Sequence, residues 1–194
     1  MNHAPHHQGT PTQILRNEHE LILKVLGSFE TMLNRVEAGT PPDRDFFSKA
    51  VDFLQGFADR YHHEKEERHL FPAMAQAGLP EEGGPVGVML DEHDQGRAHI
   101  KGMVTAIGEI ADRPDQGTAG ILEHGRAYVE LLKGHIRKEN EILFPMADRV
   151  IGPEKMQDLT RAFDGVETEM GDTHQRYASL ADDIEERALR LPTV

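Results

Sequence analysis

Residues 62–72 read H-H-E-K-E-E-R-H-L-F-P, and residues 135–145 read H-I-R-K-E-N-E-I-L-F-P. The two segments agree at six of eleven positions, at an offset of 73. Upstream, Asn17-Glu18-His19 answers Asp91-Glu92-His93 at an offset of 74. The repeated unit is a Glu-His pair followed by His-x-x-Lys-Glu-x-x-x-Leu-Phe-Pro. On a helix, positions four apart differ by about 40° in azimuth. His62 and Glu66 therefore share a face, as do His135 and Glu139. That face is the apolar one. His62 continues Leu54 and Ala58 at steps of four, and His135 follows Tyr128 and Leu132. His19 lies three residues before Ile22, and His93 three after Leu90.

Four His and two Glu thus aim into one core. A single inward His is usually a hydrogen-bonded core residue, and a lone His-x3-Glu pair a solvated contact. Six ionisable groups placed by a repeat are different, because burying each without a counter-charge costs on the order of several kcal/mol. Bound cations remove that cost. Imidazole and carboxylate without thiolate suit iron, manganese or zinc. Six ligands exceed the four of a structural zinc. Two symmetrically placed Glu can each span two ions, which favours a dinuclear centre.

His63, about 100° round from His62, and His174, in Gly171-Asp172-Thr173-His174 of the fifth helical stretch, are candidates for a further imidazole ligand. Arg97, Tyr61 and Tyr128 are close enough in helical phase to hydrogen-bond around the centre. Lys65 and Lys138 are expected to point away from it, toward surface acids. The Leu-Phe-Pro triplets are expected to close the core and to bend the helix over the site. His69 and His124 fall two to three turns away, and His99 falls on another face.

The elements that position these groups are helices. Gly and Pro break the chain at Gly39-Thr40-Pro41-Pro42, between Gly78 and Pro85, around Pro114, and at Gly152-Pro153. The spacing predicts helices over about 12–38, 43–77, 85–112, 116–148 and 153–187. Stripes such as Ile22, Leu26, Phe29, Leu33 and Val36 recur at three and four. Residues 1–11, with His3, His6 and His7, are predicted to be a disordered tail, and 188–194 a C-terminal tail. The fold class is all-α: an up-down-up-down four-helix bundle with an additional C-terminal helix.

Composition narrows the function. The sequence has no Cys, which excludes disulfides, thiolate metal sites and cysteine nucleophiles. A net charge of −13 argues against nucleic acid or an anionic membrane as partner. No apolar run approaches the roughly 18 residues of a membrane span, and no secretory signal opens the chain. A cytoplasmic location is the expectation. Ferritin-like storage needs two Glu-x-x-His motifs, and Glu66-x-x-His69 has no mate. An HExxH metalloprotease is excluded because Glu67 stands where the second His would be.

The sequence resembles the hemerythrin HHE cation-binding family from Thr12 to about Ala181. The resemblance rests on His62-His63-x-Lys65-Glu66-Glu67…Leu70-Phe71-Pro72, Glu92-His93-Asp94-x-Gly96-Arg97, and His135-x-x-Lys138-Glu139-Asn140…Leu143-Phe144-Pro145. It implies a hemerythrin-type bundle holding two iron ions, oxo- or hydroxo-bridged. His19, His62, Glu66, His93, His135 and Glu139 would be the ligands, with Glu66 and Glu139 bridging. The oxygen carriers of the family have His-x3-His on the third helix and His-x4-Asp on the fourth. Here Arg97 and Glu139 stand instead, which argues against a reversible oxygen carrier. The resemblance implies a protein that binds or reduces dioxygen, hydrogen peroxide or nitric oxide in oxidative or nitrosative stress. An iron- or oxygen-responsive binding module without turnover is the alternative. Whether the chain is an enzyme, and its oligomeric state, stay open at this point.

Overall fold

The computed structural model describes residues 9–190, which form helices and short connections with no strand among them. His3, His6 and His7 of the predicted tail, and residues 191–194, lie outside that range. Helix α1 is Pro11–Glu37. Thr10 caps it by accepting from the Gln13 amide, and Pro11 occupies the first turn, where a missing N–H costs nothing. After α1, Gly39 turns the chain at φ 96°, a conformation that favours glycine. Helix α2 runs without interruption over 44–76, with Asp43 accepting from the Phe46 amide at its start. Helix α3 is Pro85–Glu109, α4 runs over 114–150, α5 is Pro153–Met170 and α6 is Thr173–Arg190.

Helices α1 to α4 pack as an all-α bundle with short connections, so sequential neighbours are antiparallel. The α3–α4 contact is the most extensive of the bundle, and Gly102, Gly117 and Gly120 let the two helices approach. Gly117 is the one that meets backbone closely. A Cβ there would lie 2.8 Å from the Ala106 carbonyl oxygen and the Ile110 nitrogen. Where the sequence predicts one helix over 153–187, the structure has two. Gly171, at φ 59°, breaks the run and folds α6 back across α1 and α2. Arg187 of α6 is held there by Asp43 and Asp45. Helix α5 covers the outer side of α2 beside Glu66–Leu70.

Two of the bundle helices are not regular. Leu54–His63 and Glu66–Leu70 of α2, and Glu139–Leu143 of α4, are π-helical. In both helices the wide turn directly precedes Phe-Pro, where a proline ring would press on the carbonyl four residues back.

The apolar interior forms two clusters. One gathers Ile22, Phe29, Tyr61, Tyr128, Leu132 and Ile136 with the inner face of α6. The other gathers Leu15, Leu70, Phe71, Met89, Phe144 and Phe163. Along every bundle helix the inward His and Glu fall between these clusters. No helix of the described residues is long and apolar enough to cross a membrane.

Candidate metal centre

Six buried side chains meet in the layer between the two clusters. His19 Nε2 and His62 Nε2 lie 3.0 Å apart, and so do His93 Nε2 and His135 Nε2. Glu66 and Glu139 stand between the two imidazole pairs. Glu66 turns Oε1 toward His62 Nε2 at 3.7 Å and Oε2 toward His93 Nε2 at 3.6 Å. Glu139 turns Oε2 toward His19 Nε2 at 3.1 Å and Oε1 toward His135 Nε2 at 3.2 Å. Ligand atoms of His19, His62, Glu66 and Glu139 fall within 4.8 Å of one another, and those of His63, Glu66, His93 and His135 do likewise.

Each imidazole is oriented from behind. His62 Nδ1 donates to Glu18 Oε2 at 2.8 Å, His135 Nδ1 to Glu92 Oε2 at 2.9 Å, and His93 Nδ1 to Glu67 Oε1 at 2.7 Å. His19 Nδ1 donates to Asn140 Oδ1 at 2.9 Å. With the proton on Nδ1, a neutral ring presents the lone pair of Nε2 inward. Lone pairs facing one another at 3.0 Å repel unless a cation or a proton lies between them. The carboxylates raise the same demand. Both oxygens of Glu66 and of Glu139, and His63 Nδ1, are buried without a hydrogen-bond partner. These residues therefore fit bound cations: the orphaned atoms are the ones a metal would engage.

The electrostatics agree. Burial pulls the His62 imidazole down to about 4, with Glu18 only partly offsetting it. Burial also depresses His63 and His93. Burial, then the neighbouring Glu139, pushes the Glu66 carboxyl well above its usual range. Burial would raise Glu139 as well, but His135 and His19 outweigh it and hold Glu139 well below. Burial opposes protonation of His135, yet Glu139 and Glu92 outweigh it and lift this imidazole to about 9. His62, His63 and His93 are thereby held as neutral imidazoles, the form that ligates metals, while Glu139 and Glu92 favour positive charge at His135.

The remaining sequence-predicted residues fall as follows. His63 is brought in: its ring stacks on His93 with centroids 3.7 Å apart. His174 is not brought to either group; its ring packs against Phe57 and Tyr61. Arg97 is 37% exposed and reaches His93 only through Glu67, while also donating to Asp59 and Asp94. The Tyr61 hydroxyl donates outward, to Glu167 of α5. Tyr128 is buried beside Gly96.

The lysines correct an expectation. Lys65 does not reach a surface acid; it is completely buried and donates to Glu18, the carboxylate behind His62, and to Glu167. Lys138 likewise donates to Glu92, behind His135. The phenylalanines of the Leu-Phe-Pro triplets have a more particular place than core closure. Phe144 stacks on His19 and Phe71 on His93.

Sequence reasoning missed the orienting residues Glu18, Glu92, Glu67 and Asn140. A signal existed. Glu18 and Glu92 each precede a ligand candidate in the repeat, and Glu67 and Asn140 each follow one.

Residues 10–147 match the hemerythrin HHE cation-binding domain, and the chain belongs to that family. An uncharacterized protein of Mycobacterium tuberculosis is 22% identical over 170 residues, 87% of this chain and 63% of its own length. The iron-sulfur cluster repair protein YtfE of Cronobacter sakazakii is 32% identical over 66% of this chain and 56% of its own. Its namesake in Escherichia coli is 29% identical over 75% and 60%. The chain thus spans less than two thirds of the length of these curated relatives. No solved structure matches significantly.

Proposed function

We propose that the chain holds two iron ions, oxo- or hydroxo-bridged, and that it binds or reduces a small oxidant: dioxygen, hydrogen peroxide or nitric oxide. The ligands are His19, His62, Glu66, His93, His135 and Glu139, with His63 as a fifth imidazole. The observation that carries this reading is the pair Glu66 and Glu139. Each is buried without a hydrogen-bond partner, and each turns one oxygen toward either imidazole pair. A carboxylate serving one ion would not need that symmetry.

The donor set suits iron, and the cation-binding family agrees with it. Two relatives are named for iron-sulfur cluster repair, which supports a role in oxidative or nitrosative stress. Bound iron would supply one-electron chemistry between its ferrous and ferric states. The chain's own residues would bias that chemistry. Glu18, Glu67 and Glu92 make three of the imidazoles stronger donors, which favours the ferric state. Phe71 and Phe144 cover ligand rings and keep water from them. A cytoplasmic setting, without nucleic acid or membrane partner, belongs to the same proposal.

Metal analysis and a visible spectrum of protein purified without chelator test the reading. Two irons per chain with near-ultraviolet charge-transfer bands are expected. One metal per chain, or zinc alone after growth in ample iron, would overturn it. Ferrous protein mixed with dioxygen or peroxide should end ferric, with no dioxygen recovered under vacuum.

A second reading has one observation in its favour. Glu167 of α5 reaches the centre through Lys65, Glu18 and His62. Iron occupancy could then be sensed at α5, as in a responsive module without turnover. Large helix loss on chelation, with negligible oxidant consumption, would favour it.

A further inference from the structure

The twofold repeat of the centre is kept in shape and broken in charge. Behind His19 stands an arginine–acceptor–imidazole arrangement: Arg16 donates to Asn140 Oδ1 at 3.4 Å, and His19 Nδ1 donates to the same oxygen. Behind His93 stands the equivalent arrangement, Arg97 and His93 both donating to Glu67 Oε1. Asn140 and Glu67 occupy equivalent places in the repeat, each following an inward Glu. One acceptor is a neutral amide and the other a carboxylate.

The difference is reinforced nearby. Arg97 is also engaged by Asp59 and Asp94, whereas Arg16 lies over the Phe144 ring. The imidazole pair His93–His135 is backed by two carboxylates, Glu67 and Glu92, and gains His63. The pair His19–His62 is backed by one, Glu18. Each of the three carboxylates has its own cation, Lys65 at Glu18, Lys138 at Glu92 and Arg97 at Glu67, so the difference between the pairs lies in the number of carboxylates.

We infer that Asn140 makes the two ion positions unequal, so that the ion between His19 and His62 is the labile one and is surrendered first. The physical cause is charge donation. A carboxylate hydrogen-bonded to the far nitrogen makes an imidazole a stronger ligand, and an amide does so much less. The labile position is therefore the one that exchanges iron with solution, while the other stays filled. The inference rests on the dinuclear reading above.

Chelator challenge tests it without reference to activity. The protein is loaded anaerobically with ferrous iron, and an excess of a ferrous chelator is added. Wild type should release its iron in two phases of equal amplitude. Asn140→Asp, which restores the missing charge at constant size, should slow the fast phase about tenfold and leave the slow phase alone. Glu67→Gln, the converse change, should speed the slow phase by a similar factor. A merely structural disturbance would move both phases together. Two irons leaving in a single phase in all three proteins would overturn the inference while leaving the dinuclear reading intact. So would an Asn140→Asp effect confined to the slow phase. One iron per chain before any chelator is added would sink both.

Discussion

A cation with no exposed surface needs its charge answered inside the protein, and Lys65 is answered by Glu18 and Glu167. Removing one member of such a group leaves an uncompensated buried charge, at about 3–5 kcal/mol. Lys65→Met should lower stability by that order in chemical denaturation and lower metal content, because Glu18 would no longer be steadied behind His62. Lys138 holds the matching place behind His135 but is 37% exposed. Solvent screens it, so Lys138→Met should cost about 1 kcal/mol or less. Equal losses for the two would contradict the burial argument. Among the proposed ligands, Glu66→Ala and Glu139→Ala should each empty most of the centre, since each faces both imidazole pairs. His19→Ala should reduce metal content by about one ion, in keeping with a ligand that faces a single position. Metal analysis of purified variants distinguishes these cases. That these six His and Glu side chains point inward together was legible because repeat and periodicity pointed the same way. The partners behind them were not. Glu18 and Lys65 lie on different helices, and the sequence carried no sign that α5 would bury them together.

At the scale of the element, the π-helical turns explain much of what periodicity could not show. A rule of about 100° per residue puts His63 well round from His62. Over Leu54–His63 the backbone closes wider i→i+5 turns, and consecutive residues are separated by a smaller angle. His62 and His63 are both buried, His63 against the His93 ring of α3. The four bundle helices and their order followed from apolar stripes and Gly-Pro breaks. The division of the fifth did not, because Gly171 and Asp172 interrupt an amphipathic pattern that runs on through them. Close approach of α3 and α4 depends on a missing side chain. Gly117→Ala would press a methyl against the backbone of Ala106 and Ile110, neither of which can rotate aside. Its cost should be about 1–3 kcal/mol, read from the denaturation midpoint. An unchanged or raised midpoint would mean that the helices part without penalty.

For the whole molecule, the layer of buried His and Glu lies between two apolar clusters, so binding or removing metal should act on the middle of the bundle. Without bound cations the layer holds buried carboxylates and imidazoles uncompensated, a penalty of several kcal/mol on the order of a broken buried ion pair. Thermal unfolding followed by circular dichroism should therefore shift down markedly on chelation and recover on reloading. Identical midpoints with and without metal would show that the layer is satisfied on its own. The layer also has an internal symmetry. His19, His62 and Glu66 come from the first helical hairpin, and His93, His135 and Glu139 from the second. Each hairpin pairs its own two imidazoles and extends a carboxylate toward an imidazole of the other hairpin. Half the molecule thus carries the instructions for an entire centre, completed by a copy of itself. A hairpin paired with a second copy of itself about a twofold axis would have the same arrangement. In such a pair the two sides would be interchangeable; Asn140 opposite Glu67, and His63 opposite Ile136, are where the two halves of this chain differ.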